Sequence, residues 1–110
     1  MKIDIDETDN YVIVKVSGKL DAINAPEFTK LLQEILDKKA SSCLLNMSDV
    51  SFLSSSGLQS FLTGAKVSKK NDTGFYIFGM QEMVQDVFEM SGFNQFIKSF
   101  ASKEEALANL

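Results

Sequence analysis

The sequence contains no histidine and a single cysteine, and these two shortages exclude much of the commoner enzyme chemistry. Without histidine, neither a Ser-His-Asp triad nor a Cys-His pair can be assembled, and a histidine-ligated zinc site is excluded. Cys43 lies in an apolar run and has no second cysteine for an internal disulfide or a metal cluster, so we predict a buried, inert thiol. The commonest routes to hydrolysis are therefore excluded for this chain.

Long apolar runs, nucleotide motifs and basic patches are also missing. No stretch reaches about 18 consecutive apolar residues, and residues 1–6 lack the apolar core of a signal peptide, so we expect a cytoplasmic protein without a membrane span. Neither a G-x-G-x-x-G nor a G-x-x-x-x-G-K-[ST] run occurs, and no cofactor is predicted. The net charge is -4, without a basic run interleaved with aromatic residues, so no direct contact with nucleic acid is expected.

What the chain does contain is enough apolar sequence for one core. With 110 residues, of which 45% are hydrophobic, it fits a single domain spanning residues 1–110. Alternating or continuous apolar stretches predict a four- to five-stranded sheet, from strands at residues 3–6, 11–17, 43–47, 73–78 and 96–100.

Four helices are predicted between and after these strands. The first carries a stripe from Phe28 to Leu36 and is expected to be capped by Asn24. The second carries a stripe from Leu58 to Ala65 and contains Gly64, a residue that disfavours a helix and marks either a close helix–sheet approach or a contact. The third comprises Met80, Met83, Val84, Val87 and Phe88, ending at Ser91-Gly92, and the fourth follows a capping box at Ser102-Lys103-Glu104-Glu105.

This pattern predicts an α/β fold in the order β-β-α-β-α-β-α-β-α. The sheet should be mostly parallel, with an antiparallel opening strand. Loops that leave the carboxyl ends of parallel strands gather at one edge, where ligands and partners usually bind. We therefore expect the loops at Leu20 to Asn24, Ser48 to Ser55 and Gly79 to Gln81 to lie together.

The turn Ser54-Ser55-Ser56-Gly57, at the start of the second helix, is the most distinctive feature at this edge. Free N–H groups and the helix dipole favour an anion at a helix N-terminus, so a phosphate on one of these serines would be tolerated locally. A bulky dianion would nevertheless impede docking of a partner. Serines also cap helices without any modification, and the residues alone leave that simpler interpretation open.

The turn and its surroundings resemble the STAS domains, and among them the bacterial anti-sigma factor antagonists. The resemblance rests on Phe52-Leu53-Ser54-Ser55-Ser56-Gly57-Leu58, with further similarity at Ser17-Gly18-Lys19-Leu20-Asp21-Ala22, at Ser91-Gly92-Phe93 and at residues 102–107. It implies a single STAS-like domain that acts as a phosphorylation-controlled binding switch and not as an enzyme. The implied partners are an anti-sigma factor that is also a serine kinase of the histidine-kinase-like ATPase type, and a phosphatase.

Within this resemblance Ser55 matches the phosphorylated serine, with Ser54 as a possible alternative. The implied docking face comprises Asp21, Ser54, Ser56, Gly57 and the helix positions Gln59 and Ser60, which we expect to be exposed. Two positions depart from the family pattern, because Ser54 and Asn46 stand where many members carry aspartate.

Two alternatives are open at this point. The same fold could serve as a constitutive scaffold or transport-accessory subunit without phosphorylation, which the missing aspartate favours slightly. An enzyme would have to use Asp4 or Asp6, which lie two apart on the opening strand and are more simply a solvated polar face.

Overall fold

A computed structural model describes residues 1–38 and 42–110, and over this part of the chain the strands and helices follow the predicted order. The strands are β1 (Lys2–Glu7), β2 (Val12–Leu20), β3 (Ser42–Leu53), β4 (Gly74–Phe78) and β5 (Lys98–Phe100). The helices are α1 (Ala25–Asp37), α2 (Ser55–Lys70), α3 (Glu82–Met90) and α4 (Lys103–Ala108), and a short 3-10 turn covers Phe93–Gln95.

The strands form a five-stranded sheet in the order β1-β2-β3-β4-β5. β1 pairs with β2 in the antiparallel sense, whereas β2, β3, β4 and β5 are parallel to one another. The predicted α/β fold, with a mostly parallel sheet and an antiparallel opening strand, is therefore confirmed.

β3 is much longer than predicted, since residues 48–53 belong to it and not to a loop. This second half of β3 still pairs with β2, for example Leu20 with Leu53, but the register shifts twice along the pairing. With these shifts Val50 and Leu53 are buried, whereas Ser48 and Asp49 are exposed. Buried and exposed residues therefore do not alternate strictly, and the polar residues of this segment suggest a loop.

The core lies on both faces of the sheet, and the larger part is under α1, α2 and α3. Alternation along the strands separates the faces: Val12 and Val14 belong to the larger cluster, whereas Ile13 belongs to a smaller one beneath α4. Phe61 of α2 lies at the centre of the larger cluster, edge-on to Phe28 of α1 at 6.5 Å and to Phe88 of α3 at 6.2 Å between ring centroids. These ring contacts hold the three helices together.

Gly64 marks a close approach of α2 to its neighbours. A Cβ atom at this position would lie 2.7 Å from Cδ2 of Leu32 in α1 and 3.0 Å from Cζ of Phe75 in β4. The glycine therefore allows α2 to pack closely on both α1 and the sheet, which answers the question that the sequence left open.

The predicted helix ends are confirmed for α3 and α4. α3 ends at Met90, and Gly92 adopts the left-handed φ of 81° that terminates many helices. Ser102 caps α4, because its hydroxyl accepts a hydrogen bond from the Glu105 N–H at 3.2 Å.

Cys43 is buried and free, as predicted. Burial raises the pKa of its thiol to about 12, because the thiolate would lose its hydration. Of the helices in the described ranges, none combines the length and the apolar character needed to cross a membrane.

Candidate docking site

Ser54 caps α2 and is held on two sides. Its backbone is extended, with φ −90° and ψ 173°, and its hydroxyl accepts a hydrogen bond from the Gly57 N–H at 3.2 Å. The same hydroxyl donates to the Leu20 carbonyl at 3.1 Å, and the Ser54 N–H donates to that carbonyl at 3.0 Å. The simple interpretation of a serine as a helix cap is therefore correct for Ser54.

Ser55 is placed differently, since it is the first residue of α2 and is exposed. Its hydroxyl makes no hydrogen bond to any other residue within 1–38 and 42–110. Ser56, the next residue, is half-buried. Of the three serines in the turn, Ser55 is thus the most accessible to a modifying enzyme.

Asp21 lies beside this turn and orders the loop between β2 and α1. Its Oδ1 accepts hydrogen bonds from the N–H groups of Ile23 at 3.1 Å and Asn24 at 3.0 Å. The turn and the loop are joined at the Leu20 carbonyl, to which Ser54 donates twice. Asp21, the residue after Leu20, is therefore held next to the serine turn.

The predicted capping of α1 by the Asn24 side chain is wrong. Asn24 takes a helical conformation and its side-chain amide donates to the Lys19 carbonyl at 3.0 Å. Asp21 accepts the backbone N–H groups of this loop instead, because the two donors follow it by two and three residues, the spacing at which an aspartate side chain closes a turn.

Two residues of the predicted docking face are not at the surface. Gln59 is exposed as predicted, but Ser60 is only 1% exposed and its Oγ lies 2.6 Å from Oγ1 of Thr29 in α1. The expectation that Ser60 is exposed is therefore wrong, because α2 packs on α1 through its small residues. Gly57 is also buried, and a Cβ atom there would lie 2.8 Å from the Leu20 carbonyl oxygen. The missing side chain therefore allows the start of α2 to approach the end of β2 within the domain.

Asn46, which stands where many family members carry an aspartate at a strand end, lies within β3 here, because β3 continues to Leu53. Its Oδ1 accepts hydrogen bonds from the N–H of Ser48 at 3.0 Å and from the hydroxyl of Ser48 at 2.7 Å. Asn46 therefore supports the middle of β3, away from the serine turn.

Asp4 and Asp6 are both exposed on β1, at the edge of the sheet. Across residues 1–38 and 42–110, no group of three or more cysteine and carboxylate side chains is arranged to hold a metal ion. The arrangement on β1 fits a solvated strand face.

A set of exposed apolar residues near the serine turn could not be recognised as exposed from the sequence. The sequence places Met83 and Val87 in one helical stripe with Val84 and Phe88, but of these four residues only Val84 and Phe88 are buried. Phe52, just before the serine turn, is exposed as well. The spacing of Met83, Val87 and Met90 contains the signal, since these positions form a separate face of the helix.

The fold and the site together define a class of protein: a small open α/β domain whose accessible serine begins a helix at the carboxyl edge of the sheet. The sequence pattern of the STAS domain family matches residues 2–106, which is nearly the whole chain. The chain belongs to the STAS domain family.

Known relatives agree with this assignment. The anti-sigma-B factor antagonist of Staphylococcus aureus is 31% identical over 94 residues, which cover 84% of this chain and 87% of the relative. The structure of an anti-sigma factor antagonist from Mycobacterium paratuberculosis has a TM-score of 0.86 at 21% identity, covering 98% of this chain and 92% of that one. The Bacillus cell fate determinant SpoIIAA in its phosphorylated form has a TM-score of 0.73 at 19% identity and covers 98% of each chain.

Proposed function

We propose that this chain is a cytoplasmic anti-sigma factor antagonist that works as a binding switch and not as an enzyme. In its unphosphorylated form it sequesters an anti-sigma factor, which is also a serine kinase of the histidine-kinase-like ATPase type, and so regulates transcription. The kinase modifies Ser55 and releases the complex, and a phosphatase restores the binding form. Similarity to an anti-sigma-B factor antagonist over most of the chain supports the partner class.

The observation that carries the choice of Ser55 is the contrast between neighbouring hydroxyls. The Ser54 hydroxyl donates to the Leu20 carbonyl, so phosphorylating it would remove this hydrogen bond and place a dianion against the carbonyl oxygen. The Ser55 hydroxyl is exposed and makes no hydrogen bond to another described residue. A kinase can therefore reach Ser55 without disturbing the fold.

The same position explains how one phosphate would act on binding and spare the fold. A phosphate at the first residue of α2 lies near free N–H groups and the positive end of the helix dipole, so the folded chain accommodates its charge. In a docked complex the dianion would be desolvated and placed against the partner. We therefore expect phosphorylation to weaken the complex and leave the domain intact.

The test is to incubate the protein with its cognate serine-kinase anti-sigma factor and ATP and to measure intact mass. We expect the wild type to gain one phosphate and Ser55→Ala to gain none. The matched control is Ser54→Asn, which removes the neighbouring hydroxyl and keeps a capping side chain, and it should gain one phosphate. Equal phosphorylation of Ser55→Ala and the wild type would contradict the assignment.

A second candidate function is a constitutive scaffold or transport-accessory subunit. The observation that favours it is the absence of an acidic residue from the start of α2: the first turn contains none, and the N-cap is Ser54, where many family members carry aspartate. A chain of this kind would gain no phosphate in the same experiment and would bind its partner in the presence and absence of ATP.

A further inference from the structure

Helix α3 presents two parallel stripes of unlike chemistry to solvent. The apolar stripe consists of Met83, Val87 and Met90, whose exposed fractions are 77%, 37% and 88%. The acidic stripe consists of the residues just before them, Glu82, Asp86 and Glu89, all of them exposed. Successive residues lie about 100° apart around a helix, so the two stripes are adjacent along the whole length of α3.

The apolar stripe is continuous with the end of β3. Phe52 is 48% exposed, and together with Leu53, Met83 and Val87 it lines a crevice of about 100 Å³. Leu53 is followed directly by the serine turn. We name Phe52, Met83, Val87 and Met90, with the acidic stripe beside them, the α3 surface.

The start of α3 is fixed relative to β3. The side-chain amide of Gln81, the residue before the helix, donates a hydrogen bond to the Ser48 carbonyl at 3.0 Å. On its inner side α3 is anchored by Val84 and Phe88, which are buried. The two stripes are therefore held in place by the fold and form a preformed surface.

In the part of the chain that the structure describes, the carboxylates of the acidic stripe form no ion pair with a basic side chain. Over residues 1–38 and 42–110, the ion pairs are Lys15 with Asp49 and Lys38 with Glu7, and neither involves α3. Glu89 accepts a hydrogen bond from Gln85 at 3.1 Å, which leaves its charge uncompensated. An apolar stripe bordered by unpaired carboxylates is complementary to an apolar segment bordered by lysine or arginine.

The serine turn alone is small for a stable complex. A specific protein–protein interface buries roughly 800 Å² on each partner, from about 20–30 residues. Ser60 and Gly57, which sequence reasoning placed on the docking face, are buried and contribute no exposed side chain. Additional contact area is needed. Ile23, in the loop beside the turn, is exposed but isolated, whereas the α3 surface is a set of four exposed apolar side chains that adjoins the turn through Leu53.

We propose that the α3 surface docks an amphipathic helix of the same anti-sigma factor, one whose apolar side chains are bordered by lysine or arginine. This inference rests on the proposed function and extends it. Met83, Val87 and Met90 would contact the apolar side chains of that helix, and the acidic stripe would pair with its cations and fix its orientation. Exposed methionines suit such a role because their flexible side chains adapt to a partner.

The apolar half of the inference is tested with Met83→Ser, measured by calorimetric titration with the anti-sigma factor. We expect about a tenfold loss of affinity, which is the scale of a moderately important interface residue. The matched control is Phe96→Ser, which removes another exposed apolar side chain, 70% exposed, outside the α3 surface. It should change affinity by less than about twofold.

The charged half is tested with Asp86→Lys, for which we expect about a tenfold loss of affinity that diminishes as salt is added. Glu104→Lys makes the same change of charge on α4, which covers the opposite face of the sheet, and should have little effect. Met83, Asp86, Phe96 and Glu104 are all exposed, so thermal unfolding should confirm that the four variants fold.

The outcomes separate this inference from the proposed function. The reference variant is Ser55→Asp, which places a negative charge on the serine turn and should weaken binding if the proposed function is correct. If Met83→Ser and Asp86→Lys bind like the wild type while Ser55→Asp does not, the α3 surface is not part of the interface and the switch still holds. If the wild type itself fails to bind, both proposals fail. If sedimentation shows a dimer of the wild type that Met83→Ser abolishes, the α3 surface binds a second copy and the inference is overturned.

Discussion

Replacing Ser55 with aspartate is expected to weaken binding of the anti-sigma factor about a hundredfold. The new carboxylate would have to be desolvated in the complex without a designed partner, and an unpaired buried charge costs about 2–5 kcal/mol. The free domain should remain stable, because a negative charge at the first residue of α2 contributes roughly 0.3–1 kcal/mol in the favourable direction. Calorimetric titration for affinity and urea denaturation for stability measure the two effects separately.

The control for this variant is Ser55→Asn, which has nearly the same size and shape as aspartate but no charge. If charge is the cause, the asparagine variant should retain most of the affinity. Equal losses for Asp and Asn would show that size and not charge blocks docking. An aspartate variant that binds as tightly as the wild type would count against the switch and in favour of a constitutive scaffold.

Replacing Phe61 with alanine is expected to lower the free energy of unfolding by about 3–5 kcal/mol. Phe61 is fully buried in α2 and contacts Phe28 and Phe88, so the change opens a cavity where three helices meet. A loss of this size is a large share of the stability of a small domain. Urea denaturation monitored by circular dichroism measures it through the midpoint and the slope.

Phe96→Ala is the matched control, because Phe96 is exposed and should change stability by less than about 0.5 kcal/mol. Similar losses for the two variants would mean that Phe61 is not at the centre of the core. An unfolded Phe61→Ala variant would agree with the packing described here, since the expected loss approaches the whole stability of a weak domain.

The order of the strands and helices could be predicted from sequence because apolar spacing is set by local geometry. The stripe from Phe28 to Leu36 and the cap at Ser102 each depend on neighbours within a few residues, and both interpretations hold in the structure. Residues 48–53 could not be assigned in this way. Their strand pairing depends on β2, which is distant in sequence, and on register shifts that disturb the alternation.

The position of the candidate site in the fold could be predicted from the sequence, but the exposure of its residues could be predicted only in part. The serine turn lies at the predicted edge of the sheet, and Asp21 lies beside it. Ser60 was misplaced because a serine on a helix gives no sign of whether it faces solvent or a neighbouring helix, and here it faces Thr29. Met83 was misplaced for the opposite reason, since an apolar residue in a helical stripe is more often buried than exposed.

The structure also separates two serines that the sequence leaves equivalent. Ser54 is committed to the cap, with hydrogen bonds to Gly57 and Leu20, while the Ser55 hydroxyl is exposed and has no described partner. The resemblance alone points to Ser55 by alignment with a family pattern. The hydrogen bonds add a physical reason, because modification of Ser54 would remove its hydrogen bond to the Leu20 carbonyl, whereas the Ser55 hydroxyl makes none to another described residue.

The most direct test of the central claim is to measure binding of the anti-sigma factor to the same wild-type protein before and after phosphorylation by the cognate kinase. We predict tight binding of the unphosphorylated form, a loss of about a hundredfold on phosphorylation, and full recovery after treatment with a phosphatase. Phosphorylated protein that binds as tightly as the unphosphorylated form would contradict it.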